Sequence, residues 1–177
     1  MPATGLVQGL IRDVPDFPEP GIVYKDITPL LADPGGFRTA VEAMASPWSI
    51  DVPDVVVGIE ARGFLFGITV ARELGIGFVP VRKPGKLPYL TSSIDYGLEY
   101  GTDTLEMHTD AIGPGHRVLV VDDVLATGGT AAATAELVAR HGGSLMGFAF
   151  LLEIAFLAGR DRLNGARVEA VVTVEDD

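Results

Sequence analysis

The sequence predicts an α/β protein built on one mostly parallel, twisted sheet with helices on its faces. Short runs of β-branched and other apolar residues recur along the chain, and segments with apolar residues at helical spacing stand between them. Strands that alternate with helices in this way join through right-handed crossovers, which makes the strands parallel. We expect the 177 residues to form a single domain spanning residues 1–177.

The N-terminal segment, residues 1–34, is predicted to precede this alternating pattern as a small separate hood. Apolar residues at helical spacing predict a first helix over about the first dozen residues. These residues are Leu6, Leu10, Ile11 and Val14. A loop dense in proline and glycine follows at residues 16–21, and a short extended piece follows at residues 23–27.

Five apolar runs predict the strands of the sheet. They lie at residues 55–59, 78–81, 118–121, 145–152 and 168–174. Helices are predicted around residues 36–44, 64–74 and 129–141. Pro80 has no N–H group, so one side of the second strand should be unpaired. Because ligands of such sheets bind beyond the carboxyl ends of the strands, the residues after Ile59, Val81 and Val121 are the candidates for a site.

The residues after Val121 form the most specific motif. Asp122 and Asp123 precede a run of threonine and glycine at residues 127–130, and a predicted helix follows. A helix N-terminus offers free N–H groups, glycine allows close approach and threonine adds donors, so the run predicts a phosphate site. It is neither a P-loop nor a dinucleotide fingerprint. Carboxylates accept hydrogen bonds from the vicinal hydroxyls of ribose, and they could also hold hydrated magnesium nearby; a simple turn ahead of a capped helix is the alternative.

Basic residues follow the first two predicted strands. Arg62 lies in the turn after the first, near a helix N-terminus where a structural cation is disfavoured. Arg82, Lys83 and Lys86 follow the second, so three of the chain's 13 basic residues fall within five positions. We interpret these cations as contacts for a diphosphate, with a solvated surface as the alternative. The stretch at residues 82–101 predicts a long mobile loop that closes over the site.

Composition excludes several classes of function. The net charge is −11, and a field of that sign repels nucleic acid and anionic lipid, so neither is an expected partner. The chain has no cysteine, which excludes a disulfide scaffold and a thiol nucleophile. The three histidines are scattered without metal-ligand spacing. No basic segment followed by an apolar core opens the sequence, and residues 145–152 are too few to cross a bilayer, so we expect a cytoplasmic protein.

Together these motifs resemble the adenine-specific branch of the type I phosphoribosyltransferase family. The likeness runs from about residue 14 to residue 174, and it includes residues 118–130, which resemble the diphosphoribosyl-binding signature of the type I family. Further matching stretches are residues 16–21, 26–30, 58–67, 79–88, 98–101, 149–153 and 159–160. The resemblance implies the family's fold with its hood. It also implies a homodimer that converts adenine and phosphoribosyl diphosphate, which carries Mg²⁺, into AMP and pyrophosphate.

The resemblance also implies roles for the phosphoribosyl diphosphate site. The 5-phosphate would be held by Ala126, Thr127, Gly128, Gly129 and Thr130. The ribose hydroxyls would be held by Asp122 and Asp123. The diphosphate would be surrounded by Glu60, Ala61, Arg62, Arg82, Lys83 and Lys86.

For the base, the resemblance implies a hood formed by Val23, Tyr24 and Lys25, with Tyr24 and Val124 on either face of the ring. Glu99, on the predicted mobile loop, would be the general acid or base for the purine, and Arg62 would be the second catalytic residue. The family often has phenylalanine and arginine where this chain has Tyr24 and Lys25. Lysine cannot reproduce the planar contact of arginine.

Three alternatives stay open. An enzyme for a 6-oxopurine calls for a donor, commonly a lysine late in the chain, whereas the lysines here are Lys25, Lys83 and Lys86. A regulator that senses purines would usually carry a DNA-binding extension and a basic surface, which a net charge of −11 does not suit. A generic nucleotide-binding domain does not explain residues 82–86 or 98–101.

Overall fold

The computed structural model describes residues 3–98 and 101–175. Helix α1 (Ala3–Gly9) leads into strand β1 (Arg12–Pro15), which pairs antiparallel with strand β2 (Val23–Asp26). The predicted first helix is therefore too long, since Val14 lies opposite Tyr24 in this hairpin. Val7 is the fully buried residue of α1, and an ion pair of 2.6 Å between Arg12 and Asp26 joins the two strands.

The elements after residue 27 follow the predicted alternation of strands and helices only in part. Helices α2 (Thr28–Ala32) and α3 (Pro34–Ala45), with a 3-10 turn at Ser46–Trp48, lead to strand β3 (Val55–Ile59), helix α4 (Gly63–Leu74) and strand β4 (Gly77–Val81). Then come strands β5 (Thr91–Leu98), β6 (Gly101–His108) and β7 (Arg117–Leu125), helix α5 (Gly129–Arg140), strand β8 (Ser144–Ile154), 3-10 segments at Ala155–Leu157 and Gly159–Leu163, and strand β9 (Val168–Val174).

The central sheet has five parallel strands in the order β4-β3-β7-β8-β9, which confirms the predicted fold class. Strand β4 lies at the edge of the sheet, so the missing N–H group of Pro80 breaks no ladder on its open side. After β4 the chain returns to the other side of β3 to form β7. The order of the sheet therefore reverses between β3 and β7.

The core consists of two apolar layers, one on each face of the sheet. Along β3, Val57 points into the layer beneath α5, while Val56 points into the layer that holds α3 and α4. Leu137 and Phe66 are fully buried representatives of the helices on the two faces. Strands buried on both faces explain why the apolar runs of the sequence are continuous. None of the helices in the described part of the chain is long and apolar enough to cross a membrane.

Strands β5 and β6 form an antiparallel hairpin, with Thr91 opposite His108. Residues 91–98 of the predicted mobile loop, residues 82–101, thus form a strand, and the mobility of this segment stays a prediction. The hairpin forms because it can bury one face. Ile94, Leu105 and Met107 are at most 5% exposed and join the layer beneath α5.

Candidate active site

The carboxyl ends of β3 and β7 meet where the order of the sheet reverses. The loops that follow these strands diverge at that point and leave a cavity of about 720 Å³. Its wall is formed by β2, the turn after β3, the β5–β6 hairpin and the end of β7. A cavity of this size suits a small-molecule ligand.

The predicted phosphate loop is a tight turn at the start of α5. Gly128, with φ of 80°, caps the helix, so the first N–H groups of α5 are free to bind an anion. A Cβ atom at Gly128 would lie 2.3 Å from the carbonyl oxygen of Gly159, so only glycine fits there. The five predicted phosphate ligands surround a small cavity of about 80 Å³. They are Ala126, Thr127, Gly128, Gly129 and Thr130.

An ion pair holds the segment that covers this loop. Arg160 donates from Nε and Nη2 to the buried carboxylate of Glu153, each at 2.6 Å. This bidentate contact ties the 3-10 segment Gly159–Leu163 to the end of β8. Gly159 consequently lies against the loop, where a Cβ atom would stand 2.1 Å from the carbonyl oxygen of Ala126.

Strand β7 continues through both aspartates of the motif, whereas the sequence predicted that it ends before them. Asp123 is buried, and its Oδ2 lies 2.5 Å from Nε of Arg62, although that oxygen makes no aligned hydrogen bond among the described residues. Burial, together with the charge of Asp123, raises the pKa of Asp122 well above its usual value. Oδ1 of Asp122 accepts the backbone N–H of Asp123 at 2.9 Å. A carboxylate can accept about four hydrogen bonds, so the pair keeps capacity for vicinal hydroxyls. Gly63 makes room for the carboxylate of Asp122, since a Cβ atom at position 63 would lie 2.5 Å from Oδ1 of Asp122.

Arg82 and Lys83 each have a carboxylate partner, as Arg62 does. Nε and Nη2 of Arg82 lie 3.2 and 3.3 Å from the carboxylate of Glu60, which also accepts the Lys83 N–H at 3.0 Å. Although burial acts to raise it, these contacts hold the pKa of Glu60 below its usual value. Nζ of Lys83 donates to Asp103, and this contact raises the pKa of Lys83 and lowers that of Asp103.

Most of the predicted site residues meet at the large cavity. They are Val23, Tyr24, Lys25, Glu60, Ala61, Arg62, Lys83, Asp122, Asp123, Val124, Ala126 and Thr130. The peptide bond between Glu60 and Ala61 is cis. Arg82 points toward Glu60, and exposed Lys86 contributes its carbonyl oxygen, which accepts from Nη1 of Arg82 at 3.1 Å. Glu99 lies outside the described residues, so its role stays a prediction.

The hood contributes one strand to the cavity. The ring of Tyr24 packs edge-on against Phe17, with 5.2 Å between the ring centroids. Nζ of Lys25 pairs with Asp13 across the hairpin at 2.8 Å, which engages the lysine within the hood itself. Val124, on β7, lines the same cavity as Tyr24.

Sequence reasoning missed the contribution of the β5–β6 hairpin to the wall. Tyr96 and Asp103 line the cavity, and the Tyr96 hydroxyl donates to Asp103 at 3.2 Å. The hydroxyl of Thr130 in the phosphate loop lies 3.5 Å from that of Tyr96. Burial raises the pKa of Tyr96. The available signal was the alternation of polar and apolar residues at residues 104–108, which is typical of a half-buried strand.

A phosphate loop behind an acid pair, at the reversal point of a parallel sheet and beneath a hood, defines a class of α/β protein that binds a phosphorylated ribose. Comparison with known proteins agrees. The model of the phosphoribosyl transferase domain matches residues 40–171. The adenine phosphoribosyltransferase of Thermobifida fusca is 54% identical over 169 residues, which cover 96% of each chain.

Solved structures agree with this comparison. The adenine phosphoribosyltransferase of Rhodothermus marinus superposes with a TM-score of 0.92 at 55% identity, covering 97% of this chain and 98% of that one. The enzyme of Saccharomyces cerevisiae, complexed with an imino-altritol bisphosphate and adenine, gives a TM-score of 0.90 at 40% identity, covering 96% and 98%. The chain belongs to the phosphoribosyltransferase family and, within it, to the adenine phosphoribosyltransferases, which confirms the resemblance.

Proposed function

We propose that the protein transfers the 5-phosphoribosyl group from phosphoribosyl diphosphate to adenine, which forms AMP and releases pyrophosphate. This is a reaction of purine salvage. The observation that carries the proposal is one cavity whose wall combines the hood, the acid pair and the phosphate loop. Similarity to adenine phosphoribosyltransferases over at least 96% of each chain supports the choice of base.

The acid pair acts on the ribose. Asp122 and Asp123 accept hydrogen bonds from the ribose hydroxyls, while the phosphate loop holds the 5-phosphate through free N–H groups and threonine hydroxyls. Transfer breaks the bond between ribose C1 and the diphosphate oxygen and forms a bond from C1 to adenine, which gives up a proton. Positive charge develops on the ribose ring during this step, and adjacent carboxylates favour it.

The cations act on the leaving group. Arg62 and the Glu60–Ala61 peptide contact the diphosphate, and Arg82, Lys83 and Lys86 add positive charge around it. The carboxylate partners of Arg62, Arg82 and Lys83 hold these side chains near the cavity before substrate arrives. Side chains held in this way lose less conformational freedom when the diphosphate binds.

The hood recognises adenine. Val23, Tyr24 and Lys25 surround adenine, largely through backbone groups, and Tyr24 and Val124 lie on either face of the ring. Support comes from the presence of all four residues in the cavity wall. Glu99 acts as the acid or base for the purine, on the strength of the family resemblance.

Magnesium enters with the substrate. No group of three or more His, Cys, Asp or Glu side chains within residues 3–98 and 101–175 could hold a metal ion. The two carboxylates of Asp122 and Asp123 are enough for Mg²⁺, because this ion keeps several waters and binds substrate phosphates with few protein ligands. The ion supplies charge neutralisation for the diphosphate when bound.

The protein works as a cytoplasmic homodimer. An apolar groove of about 530 Å³ lies between α2, α3, α4 and β4. Its lining residues are Leu31, Phe37, Phe64, Leu65, Ile68, Thr69 and Phe78. Leu65 and Ile68 are 43% and 56% exposed in the single chain, and a second copy of the chain would cover them. An aqueous compartment suits the strongly acidic composition.

The test measures nucleotide formation from phosphoribosyl diphosphate and Mg²⁺ with adenine, hypoxanthine, guanine and xanthine in parallel. AMP from adenine alone supports the proposal. Product from an oxopurine would overturn the assignment of the hood. A folded protein that binds phosphoribosyl diphosphate but forms no product with any base would favour a sensor.

A variant pair sharpens the same test. Asp123→Asn should lower kcat/KM about 10- to 150-fold, since a hydrogen bond to a charged acceptor is lost. Asp110→Asn, which changes an exposed acid outside the cavity wall, should retain full activity.

A further inference from the structure

Tyr24 connects the hood to Arg62. Nη1 of Arg62 donates a hydrogen bond to the phenolic oxygen of Tyr24. Nε of the same guanidinium lies 2.5 Å from Oδ2 of Asp123. The guanidinium carbon stands 5.6 Å from the centroid of the Tyr24 ring. Arg62 is thus held between the hood and the acid pair.

The phenolic oxygen is the important partner for the orientation of Arg62. The side chain of Arg62 is 43% exposed, and its contact with Asp123 lacks hydrogen-bond alignment. Within the described residues, Tyr24 is the acceptor of the guanidinium's aligned hydrogen bond. Phenylalanine would keep the aromatic ring but leave Arg62 with only the unaligned contact with Asp123, which restricts the orientation of the guanidinium less.

Tyr24 is itself well placed for this task. It pairs with Val14 in the hairpin of the hood, and Phe17 packs edge-on against its ring at an interplanar angle of 74°. These contacts fix the direction of the ring and therefore the position of its oxygen. A rigid acceptor of this kind reduces the freedom that Arg62 must lose on binding an anion.

We infer that Tyr24 is a positioning residue for phosphoribosyl diphosphate: its hydroxyl orients Arg62 toward the diphosphate, while its ring serves the base. The inference rests on the proposed function. According to this inference, the hydroxyl of Tyr24 serves phosphoribosyl diphosphate and the ring of Tyr24 serves adenine. The part that sequence resemblance does not cover is the hydroxyl.

Tyr24→Phe separates the two parts. We expect the KM for phosphoribosyl diphosphate to rise about three- to tenfold, which corresponds to ordering one long side chain. The KM for adenine and kcat should change less than about twofold, because the ring remains. The Kd of magnesium pyrophosphate, measured by calorimetry, should rise by the same factor as the KM for phosphoribosyl diphosphate. Thr39→Val, which removes a hydroxyl bound to Gly35 within α3, should change none of these values.

A double variant tests whether the effect passes through Arg62. Arg62→Lys removes the guanidinium, so Tyr24→Phe should have no further effect in that background. The inference is overturned if Tyr24→Phe leaves pyrophosphate binding unchanged, raises only the KM for adenine, or adds its full effect to that of Arg62→Lys. Failure of the unmodified protein to form AMP would overturn the proposed function instead, whereas pyrophosphate binding tests Tyr24 without turnover.

Discussion

The ionised side chain of Asp122 lowers the stability of the fold, but it contributes to the candidate site. Asp122 is half-buried next to the carboxylate of Asp123, and both desolvation and the charge of Asp123 raise its pKa. Natural proteins break local rules of stability mainly where function requires it. Each carboxylate of the pair still has lone pairs that can accept hydrogen bonds from a ligand.

Asp122→Asn should stabilise the ligand-free protein at pH 8 while it impairs catalysis. Because the folded pKa of Asp122 is raised, the ionised group destabilises the fold above that pKa. The destabilisation disappears as the pH falls below the unfolded value near 3.8. Thermal unfolding should show a Tm gain of a few degrees at pH 8 that closes toward pH 4. A lower Tm at pH 8 would contradict the argument, and Asp110→Asn serves as the exposed control.

At the scale of elements, the central strands were predictable and the extent of β7 was not. A strand buried on both faces, such as β3, is recognisable in the sequence as a continuous apolar run. Beyond Val121, polarity predicts a loop, but pairing continues, with Asp122 opposite Phe150 and Val124 opposite Leu152. Backbone hydrogen bonds with β8 extend the strand through the acids, and no side-chain pattern reports them.

The candidate site likewise has a part that the sequence predicts and a part that it does not. The phosphate loop is local, so a short run of sequence reveals it. Tyr96 and Asp103 reach the cavity only because the hairpin folds over α5, which depends on the burial of Ile94 and Leu105. Contacts between segments far apart in the chain require the fold itself.

Asp103→Asn should loosen the β5–β6 hairpin. Asp103 accepts from Lys83 and from Tyr96, and its lowered pKa means that this stabilisation holds above the unfolded value of 3.8 and is lost as the pH falls. At pH 7, hydrogen exchange of the hairpin amides should accelerate about two- to fivefold, as for a partly exposed ion pair. Asp95→Asn replaces the charged acceptor of the Thr104 hydroxyl on the same hairpin by a neutral one and should have a smaller effect. Equal acceleration in both variants would contradict a role for the Asp103 contacts.

Gly159→Ala should displace the phosphate loop. The new Cβ atom would stand 2.1 Å from the carbonyl oxygen of Ala126, so the backbone must move. We expect a loss of about 1–3 kcal/mol in the free energy of unfolding, measured in urea, together with a higher KM for phosphoribosyl diphosphate. Gly113→Ala, where a Cβ atom meets nothing within 4 Å, is the matched control. A variant with unchanged KM would show that the loop tolerates the shift.

At the scale of the whole molecule, stability and chemistry occupy different regions. The two apolar layers lie on the faces of the sheet, whereas the cavity lies beyond the carboxyl ends of its strands. The apolar groove beside α4 lies outside the cavity, and its residues Leu31, Phe37 and Phe78 pack against the layer that holds α3 and α4. A second copy of the chain is the occupant we propose for it.

Ile68→Glu should therefore shift the protein from dimer to monomer. A charge placed in a desolvated interface weakens association by about 2 kcal/mol or more. Sedimentation velocity over a range of concentrations measures this shift. Ile50→Glu, at a position 98% exposed and outside the groove, should leave the assembly unchanged. Sedimentation of the unmodified protein as a monomer, or of Ile68→Glu as an undisturbed dimer, would contradict the proposed interface.

Trp48 has a practical consequence for spectroscopy. It is the chain's only tryptophan, it is fully buried, and the guanidinium carbon of Arg167 lies 4.2 Å from its ring centroid. It packs near Gly147 and Arg167, at the ends of β8 and β9 opposite the cavity. Tryptophan fluorescence should therefore report unfolding as a red shift, yet stay nearly silent when ligand fills the cavity. Equilibrium unfolding can accordingly be followed in the presence of substrate without an optical signal from binding itself.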